Sequence, residues 1–366
     1  MNRAWMAHQH VYEEQVMATI YGKVHYDYYG LPRGDYIDAS DGVTEGADLI
    51  IGTDYRDTIY GLGGNDVLKG GGGADKLYGG EGTDTADYSD SGAGVQVSLG
   101  IGGGSGGTAE GDKLYDIENV SGSSYDDILM GDGDKNALYG EGGNDVLKGG
   151  GGADKLYGGG GDDTLHSDGL GDFIDGGTGN DTVNFGDSQF GVWVNLESGY
   201  YNGGKYFQPV PQGTPQNIVN VENVNGSSTI DHITGSNTDN ILNGNGGADH
   251  IFGGGGKDTI DGGNDGDFLD GGAGNDLLTG GAGNDTFIFD AYSNVPVNIG
   301  KDVVNDFTVG QDHIEFDNKI FTDFADVQAH MQQVGNDVVI SYDGNNTVTL
   351  HNVNMNSLSA SDFLFT

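Results

Sequence analysis

Aspartate recurs at every ninth residue over long stretches of this chain. The first run holds Asp48, Asp57, Asp66, Asp75 and Asp84. The second holds Asp127, Asn136, Asp145, Asp154, Asp163, Asp172 and Asp181. The third holds Asp231, Asn240, Asp249, Asp258, Asp267, Asp276 and Asp285. Of these 19 positions 17 are Asp and two are Asn. Carboxylates repeated at one phase line up a row of hard oxygen donors, and hard donors suit Ca²⁺, which takes about six to eight oxygens. Zn²⁺ prefers nitrogen and sulfur. Mg²⁺ gives up its water reluctantly, so a cage of protein oxygens disfavours it. The 17 aspartates are therefore candidate Ca²⁺ ligands.

Positioning them requires a tight turn followed by a short strand. Each unit reads G-G-x-G-x-D-x-U-x with U apolar. The glycines permit positive φ and close backbone approach. The Asp and the two residues after it, as in Asp66-Val67-Leu68, form a short strand whose apolar side chain points inward. Ile50, Ile59, Leu68, Leu77 and the smaller Ala86 hold the apolar place in the first run, and Leu129 to Val183 and Ile233 to Phe287 continue it. Two units make one flattened coil of about 18 residues with a strand on each side. Every second Asp is then stacked on its neighbour, Asp66 on Asp84 and Asp145 on Asp163. Counting such pairs gives 13 sites, of which 11 join two aspartates. Asn136 with Asp154 and Asn240 with Asp258 lose one charge and are weaker. The fourth-place glycine is replaced at Tyr55, Tyr125, Asp134, Leu170, Thr229, Thr238 and Asp265, mostly near the ends of the runs.

Composition narrows the function. The chain has 57 acidic and 14 basic residues in 366, a formal net charge of −43. Such a polyanion repels nucleic acid and anionic membranes. No apolar run is long enough to span a membrane. Cysteine does not occur, so disulfides and thiolate metal sites are excluded. Gly is 72 residues, without the three-residue period of collagen. Other chemistry is thin. His8, His10 and His25 are scattered and read as packing or surface residues. No H-E-x-x-H occurs, which removes the zinc-protease motif. Residues 103–107, GGSGG, fit G-x-S-x-G in letters only, because no strand-turn-helix surrounds them. No catalytic residue is assigned, and the chain reads as a non-enzyme.

The organisation has three parts. Residues 1–42 are an N-terminal extension. Residues 43–288 are an all-β solenoid, with repeat blocks 43–87, 122–184 and 226–288 joined by modified coils 88–121 and 185–225. The modified coils share a pattern: Val95, Val97, Leu99 then IENVSGSS, and Val192, Val194, Leu196 then VENVNGSS. Each reads as two short strands around a variable loop. Residues 289–366 are a small mixed cap. Within it, Phe324, Val327, Met331 and Val334 fall on one face of a helix over 322–334. VVISY and TVTLHNV form a hairpin across DGNN.

The stretches GGNDVLKGG, GGADKLYGG, GGAGNDLLTGG and GGAGNDTFIF resemble the nonapeptide signature of the RTX (repeats-in-toxin) family, and the resemblance covers about residues 43–366. It implies a parallel β-roll with several Ca²⁺ ions in its turns and export by a type I secretion apparatus. The ending Asp362-Phe363-Leu364-Phe365 resembles the acidic residue and apolar tail of that family's C-terminal export signal. Met17-Ala18-Thr19-Ile20 resembles the family's opening residues and points to Met17 as the natural start. The resulting expectation is a secreted, extracellular or surface-associated calcium-binding protein without catalytic activity. Alternatives are an adhesin or module binding an extracellular polysaccharide such as alginate, and a non-catalytic part of an extracellular carbohydrate-active enzyme or protease.

Overall fold

A computed structural model describes residues 18–22, 25–26, 32–33, 36–37, 41–169, 171–203, 217–290 and 298–366. His8, His10 and Met17 lie outside the described residues, and of His25 only the backbone is described, in the strand His25–Tyr26. The chain divides into two compact units, Met1–Tyr125 and Asp126–Thr366.

In the first unit two parallel ladders alternate along the chain. One runs through Ala18–Tyr21, Asp48–Thr53, Val67–Gly71, Thr85–Asp87 and Asn119–Ser121. The other runs through Tyr36–Ile37, Thr58–Gly63, Lys76–Glu81 and Lys113–Tyr115. Regular rungs are 18 residues apart, as in Ile50 beside Leu68 and Ile59 beside Leu77. The nonapeptide period forces this, since consecutive units lie on opposite walls. The apolar places face inward: Ile50, Ile59, Leu68, Leu77 and Ala86 are fully buried.

The second unit repeats the plan. One ladder carries Ala137–Gly142, Lys155–Gly160, Phe173–Thr178 and Ile218–Val219. The opposite one runs from Ile128–Met130 through Asn223–Asn225 and Leu277–Ala282 to Lys301–Val304 and Thr347–Leu350. A third begins at Val192–Asn195 and passes through His250–Gly256 and Phe268–Gly274 to His313–Phe316 and Phe363–Phe365. Leu129, Leu138, Leu147, Leu156, Leu165, Ile174 and Val183 are all fully buried. Burying each such side chain contributes about 1.5–3 kcal/mol. This is a parallel β-roll.

In-register stacking also orders the outer faces. Tyr60, Tyr78 and Tyr115 stack at 4.7 and 4.5 Å between ring centroids. Trp193, His232, His250 and Phe268 do the same at 4.7, 4.8 and 4.7 Å. Such offset contacts add about 0.5–1.5 kcal/mol each beyond area.

Three features differ from expectation. The helix spans only Phe324–Ala329, capped by Asp323, while Met331–Val334 is a strand paired antiparallel with Asp337–Ser341. Gly335, at φ 64°, makes the hairpin turn that diverts the helical pattern. Val334 is half exposed rather than on a buried face. Each modified coil holds more than two strands: residues 88–121 contain Gln96–Ser98, Gly103–Ser105, Lys113–Tyr115 and Asn119–Ser121. The first two form an antiparallel hairpin outside the nine-residue period, and the last two rejoin the parallel ladders. The hairpin across DGNN forms as expected, between Asp337–Ser341 and Thr347–Leu350. Among the described residues no helix is long and apolar enough to cross a membrane.

Candidate metal centres

Each repeat Asp stands at the head of a strand, at or just before its first residue, and in the regular units it follows a glycine turn whose opening glycine its Oδ2 approaches, as Asp66 Oδ2 does Gly61. The structure brings together all 13 expected pairs through one repeated contact. The backbone N–H of the earlier residue donates to Oδ1 of the Asp 18 places on. The distances run from 2.7 to 3.0 Å, from Asp48 to Asp66 through Asp267 to Asp285.

The second carboxylate oxygen separates the sites into two kinds. In Asp66, Asp75, Asp84, Asp145, Asp154, Asp163, Asp181, Asp249, Asp258, Asp267 and Asp276, Oδ2 is buried and has no hydrogen-bond partner. Eleven buried carboxylate oxygens without a donor are too many for a native protein to leave uncompensated. Several of the remaining repeat residues are closed by the chain itself. Thr44 N and Oγ1 donate to Asp48 Oδ2 at 2.7 and 3.0 Å, and Thr53 N donates to Asp57 Oδ2 at 2.6 Å. Ser167 Oγ donates to Asp172 Oδ2 at 2.5 Å, and Ser227 N donates to Asp231 Oδ2 at 2.7 Å. Asn136 Oδ1 accepts from Asp132 N and Asn240 Oδ1 from Ser236 N. Most of these closed positions lie at the start of a block. A hydroxyl in place of the second glycine announces several of them in the sequence, as at Thr44, Thr53 and Ser227.

Most of the open oxygens, those of Asp66, Asp145, Asp163, Asp249, Asp258 and Asp267 among them, share their gap with a carbonyl of the adjacent coil. A methyl group placed on Gly61 would lie 2.5 Å from Asp66 Oδ2 and 2.5 Å from Gly79 O. Glycine at that place keeps the oxygen-lined gap clear. The turns also need glycine for its backbone: Gly82 has φ 147° and a Cβ there would strike the carbonyl of Gly64. Burial drives the open carboxyls upward, to about 7 for Asp66 and Asp258 and about 8 for Asp145 and Asp249. Neighbouring carboxylates push the same way.

Some acidic residues with the same geometry escape the nine-residue count. Asp75 N donates to Asp112 Oδ1 at 2.8 Å and Asp84 N to Glu118 Oε2 at 2.7 Å. Asp181 N donates to Glu222 Oε2 at 2.9 Å, Asp276 N to Asp302 Oδ1 at 3.0 Å and Asp285 N to Asp312 Oδ1 at 3.1 Å. Gly310 N closes the series on Asp362 Oδ1 at 2.8 Å. Their signal is the D-x-U triplet, or E-x-U at Glu118 and Glu222, without its period. Residues 112–115 repeat the DKLY of 75–78, and 312–314 repeat the DHI of 231–233.

The donor set decides which ion fits. Among the described residues no three His, Cys, Asp or Glu side chains converge on one point, so any shell here draws on backbone carbonyls. Carboxylate plus carbonyl oxygen in a glycine-lined gap is a shell for Ca²⁺. Fold and site together define a calcium-binding β-roll. The chain belongs to the RTX calcium-binding nonapeptide repeat family, whose model matches residues 44–75, 51–86, 115–147, 139–173, 171–188, 225–260 and 261–291, together just over half of the chain. No curated protein sequence matches it. Among solved structures it is similar to the extracellular lipase LipA from Serratia marcescens, at 17% identity and TM-score 0.24, covering 74% of this chain. The chain spans 42% of the lipase's length. It is also similar to the AlgE6R3 subunit of the Azotobacter vinelandii mannuronan C5-epimerase, at 28% identity and TM-score 0.20, over 43% of this chain and 86% of that one.

Proposed function

We propose that this is a secreted, non-catalytic calcium-binding protein whose roll folds when Ca²⁺ enters its turns after type I export. The observation that carries the reading is the set of 11 buried carboxylate oxygens lacking any donor. In this reading the open aspartates hold the ions, with carbonyls of the neighbouring turn completing each shell. Bound Ca²⁺ supplies the positive charge that the stacked carboxylates need. Asp48, Asp57, Asp172 and Asp231, already satisfied by hydroxyls or amides, hold theirs more weakly. Residues 43–288 are the ion-binding roll, and 289–366 both close its core and carry the export signal.

Ligand strength is tested by two substitutions. Asp154 Oδ1 accepts from Asn136 N, its Oδ2 is open, and its own N–H donates to Asp172 Oδ1. Asp154→Ala keeps that N–H but removes both the acceptor of Asn136 N and the open carboxylate oxygen. Losing one charged hydrogen bond costs about 1.5–3 kcal/mol, so the Ca²⁺ midpoint of folding rises about tenfold. Asp48→Ala loses only its Thr44 contacts and shifts the midpoint about fivefold at most, as for a lost cap of about 1 kcal/mol. Calcium titrations followed by circular dichroism decide this. The opposite order counts against the assignment.

Export is tested in a host with a type I exporter. Deleting 307–366 traps the chain in the cell, deleting 1–16 does not, and 307–366 fused to a passenger directs that passenger out. Secretion of the C-terminal deletion would refute the export reading.

A further inference from the structure

The two modified coils interrupt the nine-residue period, yet each ends on the same five-residue pattern: Asp116-Ile117-Glu118-Asn119-Val120 and Asn220-Val221-Glu222-Asn223-Val224. Asn220 and Glu222 lie outside the residues matched by the family model. In both places the pattern sits against the last Asp of a repeat block, Asp84 or Asp181.

Three observations recur at both. First, Asp84 and Asp181 are fully buried and their Oδ2 atoms have no partner. Their Oδ1 atoms are taken by Asp66 N at 2.7 Å and Asp163 N at 2.8 Å. Second, the glutamate does what the next Asp does in a regular coil, Glu118 Oε2 accepting from Asp84 N and Glu222 Oε2 from Asp181 N. Third, the residue two before each glutamate is left-handed without being glycine, at φ 51° for Asp116 and φ 52° for Asn220. That conformation is uncommon for non-glycine residues, though Asp and Asn tolerate it best. It aims the carbonyl into the gap. A methyl on Gly79 would strike Asp116 O and lie 2.5 Å from Asp84 Oδ2, and one on Gly176 would strike Asn220 O and lie 2.6 Å from Asp181 Oδ2. At Gly61 the same probe meets Asp66 Oδ2 and Gly79 O. Carbonyl, open carboxylate and second acid all recur, on a different sequence.

We propose that each modified coil closes an additional Ca²⁺ site at the end of its block. One uses Asp84, the Asp116 carbonyl and Glu118, and the other uses Asp181, the Asn220 carbonyl and Glu222. The inference rests on the calcium reading of the regular turns and extends it to segments outside the repeat. The modified coils then become ion-dependent themselves, and the first two blocks each end on a metal instead of on an unpaired anion.

The test is an ion count on the full chain. Glu118→Gln and Glu222→Gln keep an oxygen to accept the Asp84 and Asp181 amides but remove the charge. Native mass spectrometry in limiting Ca²⁺ is expected to show one ion fewer for each single variant and two fewer for the pair, with an unchanged β spectrum in saturating Ca²⁺. An unchanged count in the folded double variant overturns the proposal. A wild-type chain that binds no Ca²⁺ overturns instead the reading beneath it. Should the double variant fail to fold even in saturating Ca²⁺, anomalous scattering from wild-type crystals grown with Tb³⁺ answers the question. Ions between Asp84 and Glu118 and between Asp181 and Glu222 uphold the proposal, and ions at the regular turns alone sink it.

Discussion

Removing Ca²⁺ near neutral pH is expected to abolish most of the β-sheet signal of this chain, and restoring it to recover the signal in full. Without a counter-ion the roll must hold 11 buried carboxylates whose Oδ2 has no donor. A buried charge left uncompensated costs several kcal/mol, and a folded domain has only about 5–15 kcal/mol in hand. A handful of unpaired sites is therefore enough to unfold it. The apolar line through each coil is one residue per strand wide, which leaves little surplus to offset the loss. Because the unfolded chain offers no preformed oxygen cage, ion binding and folding are one equilibrium. Circular dichroism in chelator, then in Ca²⁺ raised through about 10⁻⁴–10⁻³ M, the range of extracellular modules, gives the answer. Superimposable spectra with and without the ion would show that the roll stands on its core alone.

The second large effect is a dependence on pH that opposes ordinary acid denaturation. Burial raises the open carboxyls from 3.8 to about 6 for Asp84 and Asp154, about 7 for Asp66 and Asp267, and about 8 for Asp145 and Asp249. A carboxyl whose folded value exceeds its unfolded value takes up a proton on folding. Its contribution to stability is complete below 3.8 and is lost as pH rises through the folded values, about 6 to about 8. The ion-free chain is thus expected to gain sheet structure as a mildly alkaline solution is acidified through that window, with protons standing in for calcium. In the presence of the ion the same competition works the other way, and the Ca²⁺ midpoint rises as pH falls. Denaturant melts of the metal-free chain across the window test the first statement, and Ca²⁺ titrations at each pH test the second. Stability that is flat, or that increases with pH, contradicts them.

How much of this was legible beforehand follows from what the period encodes. The nine-residue phase places Asp66 on Asp84 and Leu68 on Ile50 with no knowledge of tertiary contacts, because strand and turn lengths are fixed by the repeat. The phase does not say which carboxylates the chain will satisfy alone. That depends on Thr44, Thr53, Ser167 and Ser227, single residues where glycine is otherwise expected. It is also silent once insertions break the count. Asp302, Asp312 and Asp362 follow their partners by irregular intervals, and only the local D-x-U triplet betrays them. Asp362-Phe363-Leu364-Phe365, whose sequence resembles the end of an export signal, is in addition a rung of the roll: Phe363 pairs with Ile314 and Asp362 is buried. The helical stripe over 322–334 was ambiguous for a different reason. Met331 and Val334 suit one helical face, but Gly335 and Asn336 offer a hairpin turn that ends it.

The contact that repeats between coils has a direction. In every pair the earlier coil gives its amide and the later coil gives the carboxylate, from Asp48 and Asp66 to Gly310 and Asp362. The residue before each Asp makes some contacts the other way, Asn144 N donating to Asp126 Oδ1 and Asp162 N to Asn144 Oδ1, but the amide of each repeat Asp is satisfied only by the coil that follows it. The final acceptor, Asp362, needs no successor, because Ser359 N and Oγ close its Oδ2 at 2.7 and 2.9 Å. Assembly thus has a polarity like that of a zip closed from one end. A chain leaving a channel with its C-terminal end leading presents each acceptor before the amide that needs it. One emerging N-terminus first, as from a ribosome, exposes the amide of each repeat Asp before its acceptor exists.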